Sequence, residues 1–344
     1  MPCSTASPAC SARTTSRGEG GRALDEFQRI ARFYAPLAAP GALGLTDDAA
    51  LIQGPDGSDI VLTADAIVEG VHFLADDPPD LVARKLLRVN LSDLAAKGAK
   101  PLGYLLTTSL PERCGEDWLA GFAAGLAADQ SEFGIGLLGG DSTRTSGPIS
   151  LSLTALGTVP RGTMPRRAGA KPGDAVFVTG TIGDAALGLL AATGRLAGLA
   201  QPARDFLAGR YRLPEPRSTL GPRLAPLVHA MLDVSDGLVA DLDHICDNSA
   251  VSASIGLTAV PLSPAAREAL QLDSGLIETV LGGGDDYELL FAAPLSSGRA
   301  LDELAAETGI PITAIGRISA GKGARVVDAN GIEMAVERRG WRHF

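Results

Sequence analysis

The chain has 344 residues, of which 45% are hydrophobic, and carries 40 Asp and Glu against 30 Lys and Arg for a net charge of -10. That length and apolar content predict a substantial core in two domains rather than one. The acidic balance excludes the basic footprint of a nucleic-acid binder, and no apolar stretch approaches the ~20 residues of a membrane-spanning helix. Cys3, Cys10, Cys114 and Cys246 are scattered, with no CxxC or Cys/His metal spacing, and read as reduced thiols of a cytoplasmic protein.

Residues 1–22 are rich in Ser, Thr, Ala and Arg, lack a secretory h-region, and read as a disordered leader. Order is expected from Leu24, where Leu24, Phe27, Ile30, Ala31 and Tyr34 recur at helical spacing until Pro36. A strand from Ile60 to Thr63 runs into Ala64-Asp65, placing an acid at a strand end. A helix from about Asp80, as an Asp cap, to Lys97 stops at Gly98 and sets Asn90, Asp93 and Lys97 on one face. Strand-like Tyr104–Ser109, helix-like Glu116–Glu132, the apolar run Ile135–Leu138 and strand-like Ile149–Gly157 complete a first α+β half, residues 23–160.

Pro160–Gly173 mixes Pro, Gly and Arg without a period and reads as a connector. The second half, residues 161–344, opens with strand Ala175–Thr179 and a helix from Asp184 to Ala192. Helices near Arg217–His229 and Asp236–Cys246 then alternate with strands near Ser252–Ile255, Tyr287–Ala292 and Ile312–Ile318. Both halves follow an apolar strand with acids (LTAD, LDVSD) and later a glycine-acid loop (GGD, GGGDD), a weak trace of duplication without a fixed period.

Six aspartate-bearing positions carry the chemistry: Asp47-Asp48, Asp65, Asp93, Gly139-Gly140-Asp141, Asp233-x-Ser235-Asp236 and Gly282-Gly283-Gly284-Asp285-Asp286. One such aspartate alone caps a helix or closes a turn. Together, with five of the six beside predicted strand ends or loops and with glycines permitting close backbone approach, they predict convergence on a magnesium–phosphate site. No GxxxxGK[ST] loop is present, and Gly134-x-Gly136-x-x-Gly139 follows a helix rather than a strand, so it reads as a tight loop. Thr179–Asp184 is either a phosphate nest or a plain turn between strand and helix. His72 reads as a satisfied structural histidine, Arg166-Arg167 as a phosphate grip or a solvated pair, and Trp341 as a stacking platform or a core lid.

TADAIVEGVHF, KLLRVNLSDLAAKGAKP, LLGGDSTR, RAGAKPGD, LDVSDGL, GGGDDYELLF and the terminal G-W-x-H-F occur in an order that resembles the thiamine-monophosphate kinase family, across roughly Leu24–Phe344. The resemblance implies the two-domain α+β (AIR-synthase-related, PurM-like) fold, dimers formed through the amino-terminal domain, and ATP and thiamine phosphate as substrates with several Mg2+ ions. It places Asp48, Asp65, Asp93, Asp141, Asp233 and Asp236, with Thr63 and Ala64, around the metals, and Gly140, Asp141, Arg167 and Ser235 on the nucleotide. His72, Asp285 and Trp341 fall at substrate positions. Ala64 stands where the family has threonine, Thr46 where it has glycine, and Asp285 where it has glutamate. No general base is expected, and the runner-up readings are another enzyme of the superfamily or a metal-binding protein without activity.

Overall fold

The computed structural model describes residues 25–341. Met1–Leu24 and the last three residues lie outside them, and with them the leader, Leu24, Cys3, Cys10 and the end of the G-W-x-H-F motif. The chain opens with α1 (Glu26–Arg29), held by a capping box between Asp25 and Gln28. A π-turn at Ile30–Tyr34 and a 3-10 turn at Ala35–Leu37 carry the coil past Pro36, and neither buries a residue.

The first sheet runs β1 (Ala50–Gln53), β2 (Ser58–Val68), β5 (Ser150–Pro160), β3 (Lys100–Leu110) and β4 (Leu137–Arg144) in spatial order. Helices α2 (Pro79–Ala96) and α3 (Glu116–Phe133) bury one face of it. Alternation sorts the residues: Val61, Ile67, Leu151, Leu153, Ala155 and Tyr104 enter the core with Leu86, Leu87 and Leu91 of α2. The opposite face stays open, with Ala64, Ala66, Leu105 and Thr107 exposed. Gly134, left-handed at φ 65°, ends α3, so the glycine pattern there is a helix stop followed by a strand.

The second sheet has the order β12 (Glu333–Met334), β11 (Gly323–Val327), β8 (Ser252–Gly256), β10 (Ile312–Ser319), β6 (Ala175–Thr179), β9 (Leu289–Ala293) and β7 (Ala230–Asp233). Around it lie α4 (Asp184–Ala192), α5 (Gln201–Arg212), α6 (Gly221–Leu224), α7 (Leu238–Ser249), α8 (Pro264–Leu272), α9 (Ile277–Gly282) and α10 (Gly298–Thr308). A third apolar cluster joins the halves: Ala95 and Ala96 of α2 pack with Phe177, Leu220, Met231 and Phe291. Helix α2, buried on nearly every side, is thus the spine between the two sheets.

Four sequence expectations need correcting. Asp65 lies inside β2 rather than at a strand end, because β5 pairs with β2 along its whole length from Ser58 to Val68. Asp80 falls within the first turn of α2, whose start is fixed by Pro78 and Pro79. The helix expected at Arg217–His229 is reduced to α6 and a 3-10 turn, interrupted by Pro222 and Pro226. The strand expected from Tyr287 starts at Leu289, since Asp285 and Tyr287 both take left-handed backbone (φ 65° and 53°).

Candidate active site

The site is built on the polar stripe of α2. Asp93 accepts the Thr63 hydroxyl from β2, while Asn90 accepts the Asp65 amide (3.2 Å) and donates to the Leu86 carbonyl (2.9 Å). Ser92 donates to Asp233 at 2.5 Å, bringing the end of β7 from the other half against the same helix. Lys97, fully buried, reaches Asp47 (2.6 Å), Asp48 (2.5 Å) and the Met231 carbonyl (3.1 Å). Arg166 grips Asp47 at 2.7 Å and Arg167 grips Asp48, so each arginine pairs with one of the two adjacent aspartates.

Asp48, Asp93 and Asp233 offer one oxygen each within 4.8 Å of one another, and Asp65 hydrogen-bonds with Asp93. Four carboxyls from β1's leading turn, β2, α2 and β7 therefore share one space. Burial alone would raise the Asp48 carboxyl, but Arg167 and Lys97 overcome it and hold it down at about 2. The others go the opposite way. Burial, then the Asp48 charge, push Asp233 up to about 7 against the Ser92 hydrogen bond. Burial followed by repulsion from Asp65, Asp233 and Asp48 lifts Asp93 well above the carboxylate range, and burial with the Asp48 charge lifts Asp65. Such a group is short of positive charge, and hard oxygen donors at this spacing suit a hard divalent cation.

Not every expected residue joins it. Ala64 is exposed on the open face of the sheet, away from α2. Asp141 pairs in register with Thr107 on that same open face, at the edge strand, and among the described residues its carboxylate accepts only the neighbouring Ser142 amide at 2.9 Å. Gly140 beside it is required by contact: a Cβ there would sit 1.7 Å from the Leu106 carbonyl oxygen. Asp236 groups with Asp241 and His244 instead. Asp241, which sequence reasoning missed, reaches back from the first turn of α7 to accept the amides of Ser235, Asp236 and Gly237 at 3.0–3.1 Å, and so shapes the Ser-Asp-Gly loop.

Two of the expected substrate residues, Asp285 and Trp341, line that loop. The Asp285 amide donates to the Ser235 carbonyl (2.8 Å) and the Trp341 amide to the Asp236 carbonyl (2.9 Å). Trp341, half-exposed, walls a cavity of about 180 Å³ with Phe27, Asp236, Asp243, His244 and Arg339. His72 accepts the Val68 amide on Nδ1 at 3.0 Å, which leaves Nε2 as the protonated nitrogen of a neutral ring. The Thr179–Asp184 turn holds no room for a phosphate, because Asp286 already accepts the Gly183 and Ala185 amides at 2.7 and 3.3 Å.

Comparison with known proteins places this geometry. Residues 46–159 match the AIR synthase related protein N-terminal domain and residues 171–329 its C-terminal domain. The thiamine-monophosphate kinase of Caulobacter vibrioides is 44% identical over 323 residues, covering 92% of this chain and 90% of the relative. The chain belongs to the thiamine-monophosphate kinase family. Among solved structures, the family member from Stenotrophomonas maltophilia is 43% identical with a TM-score of 0.74, over 85% of this chain and 93% of that one. A structure described as AaThiL complexed with AMPPCP and TMP is 31% identical with a TM-score of 0.81, over 93% and 97%. The two-domain AIR-synthase-related fold of the family is the fold of this chain.

Proposed function

We propose that the chain transfers the γ-phosphoryl group of ATP to thiamine phosphate, giving thiamine diphosphate and ADP. The observation that carries this reading is the meeting of Asp48, Asp65, Asp93 and Asp233, contributed by both halves, in a chain of this family. Two phosphate dianions about 4 Å apart repel by about 4 kcal/mol even in bulk water. Asp48, Asp93 and Asp233 fit Mg2+ by donor type and spacing, with Asp65 and Thr63 beside them and Asp236 at the adjoining loop, and bound magnesium would supply charge neutralisation between donor and acceptor phosphates. Arg167 and Lys97 keep Asp48 ionised and fixed in place. The acceptor phosphate, with a second pKa of about 6, is already largely ionised at neutral pH, so no side chain has to remove a proton.

His72, Asp285 and Trp341 are assigned to thiamine phosphate, and Gly140, Asp141, Arg167 and Ser235 to the nucleotide. We further propose a cytoplasmic homodimer joined by the open face of the first sheet, where Ile52, Leu105 and Leu138 are exposed. In that arrangement Gly140 and Asp141 face the partner rather than this chain's own carboxylate cluster. No helix among the described residues is long and apolar enough to cross a membrane. The test is ADP release with thiamine phosphate, thiamine or no acceptor, with and without Mg2+. Turnover is expected only with thiamine phosphate and Mg2+, and equal turnover with unphosphorylated thiamine would refute the assignment.

A further inference from the structure

Lys85, 2% exposed, lies on the face of α2 that meets the second half. Its ammonium donates to Asp285 Oδ2 at 2.9 Å and to the His72 carbonyl at 2.8 Å, and stands 3.9 Å from the centre of the Tyr211 ring. Tyr211 in turn donates its hydroxyl to the same His72 carbonyl at 3.3 Å, and Tyr287 donates to Asp285 Oδ1 at 3.1 Å. One side chain therefore ties the loop that carries His72, from the first half, to the loop that carries Asp285, 200 positions after Lys85 itself.

A buried ion pair that only stabilises a fold is closed on both sides. Arg88 and Asp129 are such a pair, at 4% and 0% side-chain exposure. Lys85 differs, because its partner Asp285 keeps 28% of its side chain open and sits on left-handed backbone (φ 65°) pinned to Ser235, beside the carboxylate cluster. Gly284 makes that approach possible, since a Cβ there would lie 2.3 Å from the Ser235 carbonyl oxygen. A non-glycine residue in this conformation persists only where its surroundings hold it, and the Lys85 contact is one of those restraints.

We infer that Lys85 is a positioning residue for the phosphate acceptor, setting the distance between the His72 loop and Asp285 without touching the nucleotide site. This rests on the reading above that those two residues face thiamine phosphate. The specificity consequence is that the short carboxylate at position 285 is held at a fixed reach by the lysine. Loss of the ammonium releases both loops and affects the acceptor alone.

The experiment uses the full chain and measures kcat, the KM of each substrate and Tm for Lys85→Met, Lys85→Arg, Asp285→Asn and the Lys85→Met/Asp285→Asn double variant. Lys85→Met is expected to raise the thiamine phosphate KM about ten-fold while kcat and the ATP KM stay within about two-fold. Lys85→Arg restores most of that loss, and the double variant is no worse than Asp285→Asn alone, because the two act as a unit. Should the unpaired Asp285 prevent Lys85→Met from folding, the double variant, which removes both charges, carries the same comparison. An unchanged acceptor KM in a folded variant, or both KM values rising together, overturns the inference. A wild-type chain that turns over ATP but never thiamine phosphate overturns the functional reading itself, a result visible before any variant is made.

Discussion

Two acidic groups in this molecule, one fully buried and one half-buried, are opposite in character. Glu288, with no exposed side-chain area, accepts the Thr179 hydroxyl at 2.7 Å and the guanidinium groups of Arg217 and Arg210 at 2.7 and 3.2 Å. Asp286 next to it caps the N-terminus of α4 through two amides. Asp93, by contrast, receives one hydroxyl and faces Asp65, Asp233 and Asp48. Donors saturate the first group, and the fold alone explains it. The second is saturated only when a cation is added, which is the physical mark that separates a site from scaffold.

The comparison is sharpest in turnover. Replacing Asp93 by Asn removes a ligand while relieving like-charge repulsion, so kcat should fall about a thousand-fold, roughly 4 kcal/mol of barrier, with Tm of the metal-free protein unchanged or higher. Steady-state kinetics and a melt without metal check both halves. A metal-free protein that melts far earlier would show Asp93 to be scaffold. Glu288→Gln should do the reverse. Two half-buried guanidinium groups lose their buried counter-charge and keep only the exposed Glu215, costing about 3 kcal/mol, and kcat per folded molecule should be retained. Denaturant melts read against activity decide it, and a loss of kcat without loss of stability would move Glu288 into the site.

Much of the scaffold was legible because local chemistry decides it. The strand Ala175–Thr179 and the helix Asp184–Ala192 are found at the boundaries read from the sequence, where Gly180 and Gly183 supply the turn between them. The helix α8 was also written locally, in Ser263 as cap and Pro264 in the first turn, and went unread. The helix α10 buries only Leu301 and Leu304, so its periodicity is faint. The aspartates could be enumerated as candidates, but nothing near Asp48 in the chain announces Lys97 or Arg167, and nothing near Asp285 announces Lys85. Those partners are set by how α2 lies between the sheets. The same holds for Asp141, whose face of the sheet follows from pairing register and not from its GGD motif.

The smallest effect is the one that reads the cluster's charge directly. Asp233 titrates near 7 in the folded chain against its ordinary 3.8, so across that window the metal-free folded state holds a proton that the unfolded state has released. Stability without metal therefore falls as pH rises from about 4 to about 7, and Asp286, which burial pushes up to about 8, carries the fall slightly further, since a group bound more tightly to its proton when folded costs stability as the proton is withdrawn. Magnesium requires the ionised carboxylate, so its binding expels protons and the stabilisation it gives should grow over the same interval. Melting at pH 5.5 and pH 7.5 with and without Mg2+ should show the metal-induced rise in Tm larger at the higher pH by about 1–2 °C, the shift expected of roughly 1 kcal/mol in a chain of this length. An equal rise at both pH values would mean that the cation binds carboxylates already ionised, and the contrast between the saturated and unsaturated acidic groups would lose its electrostatic basis.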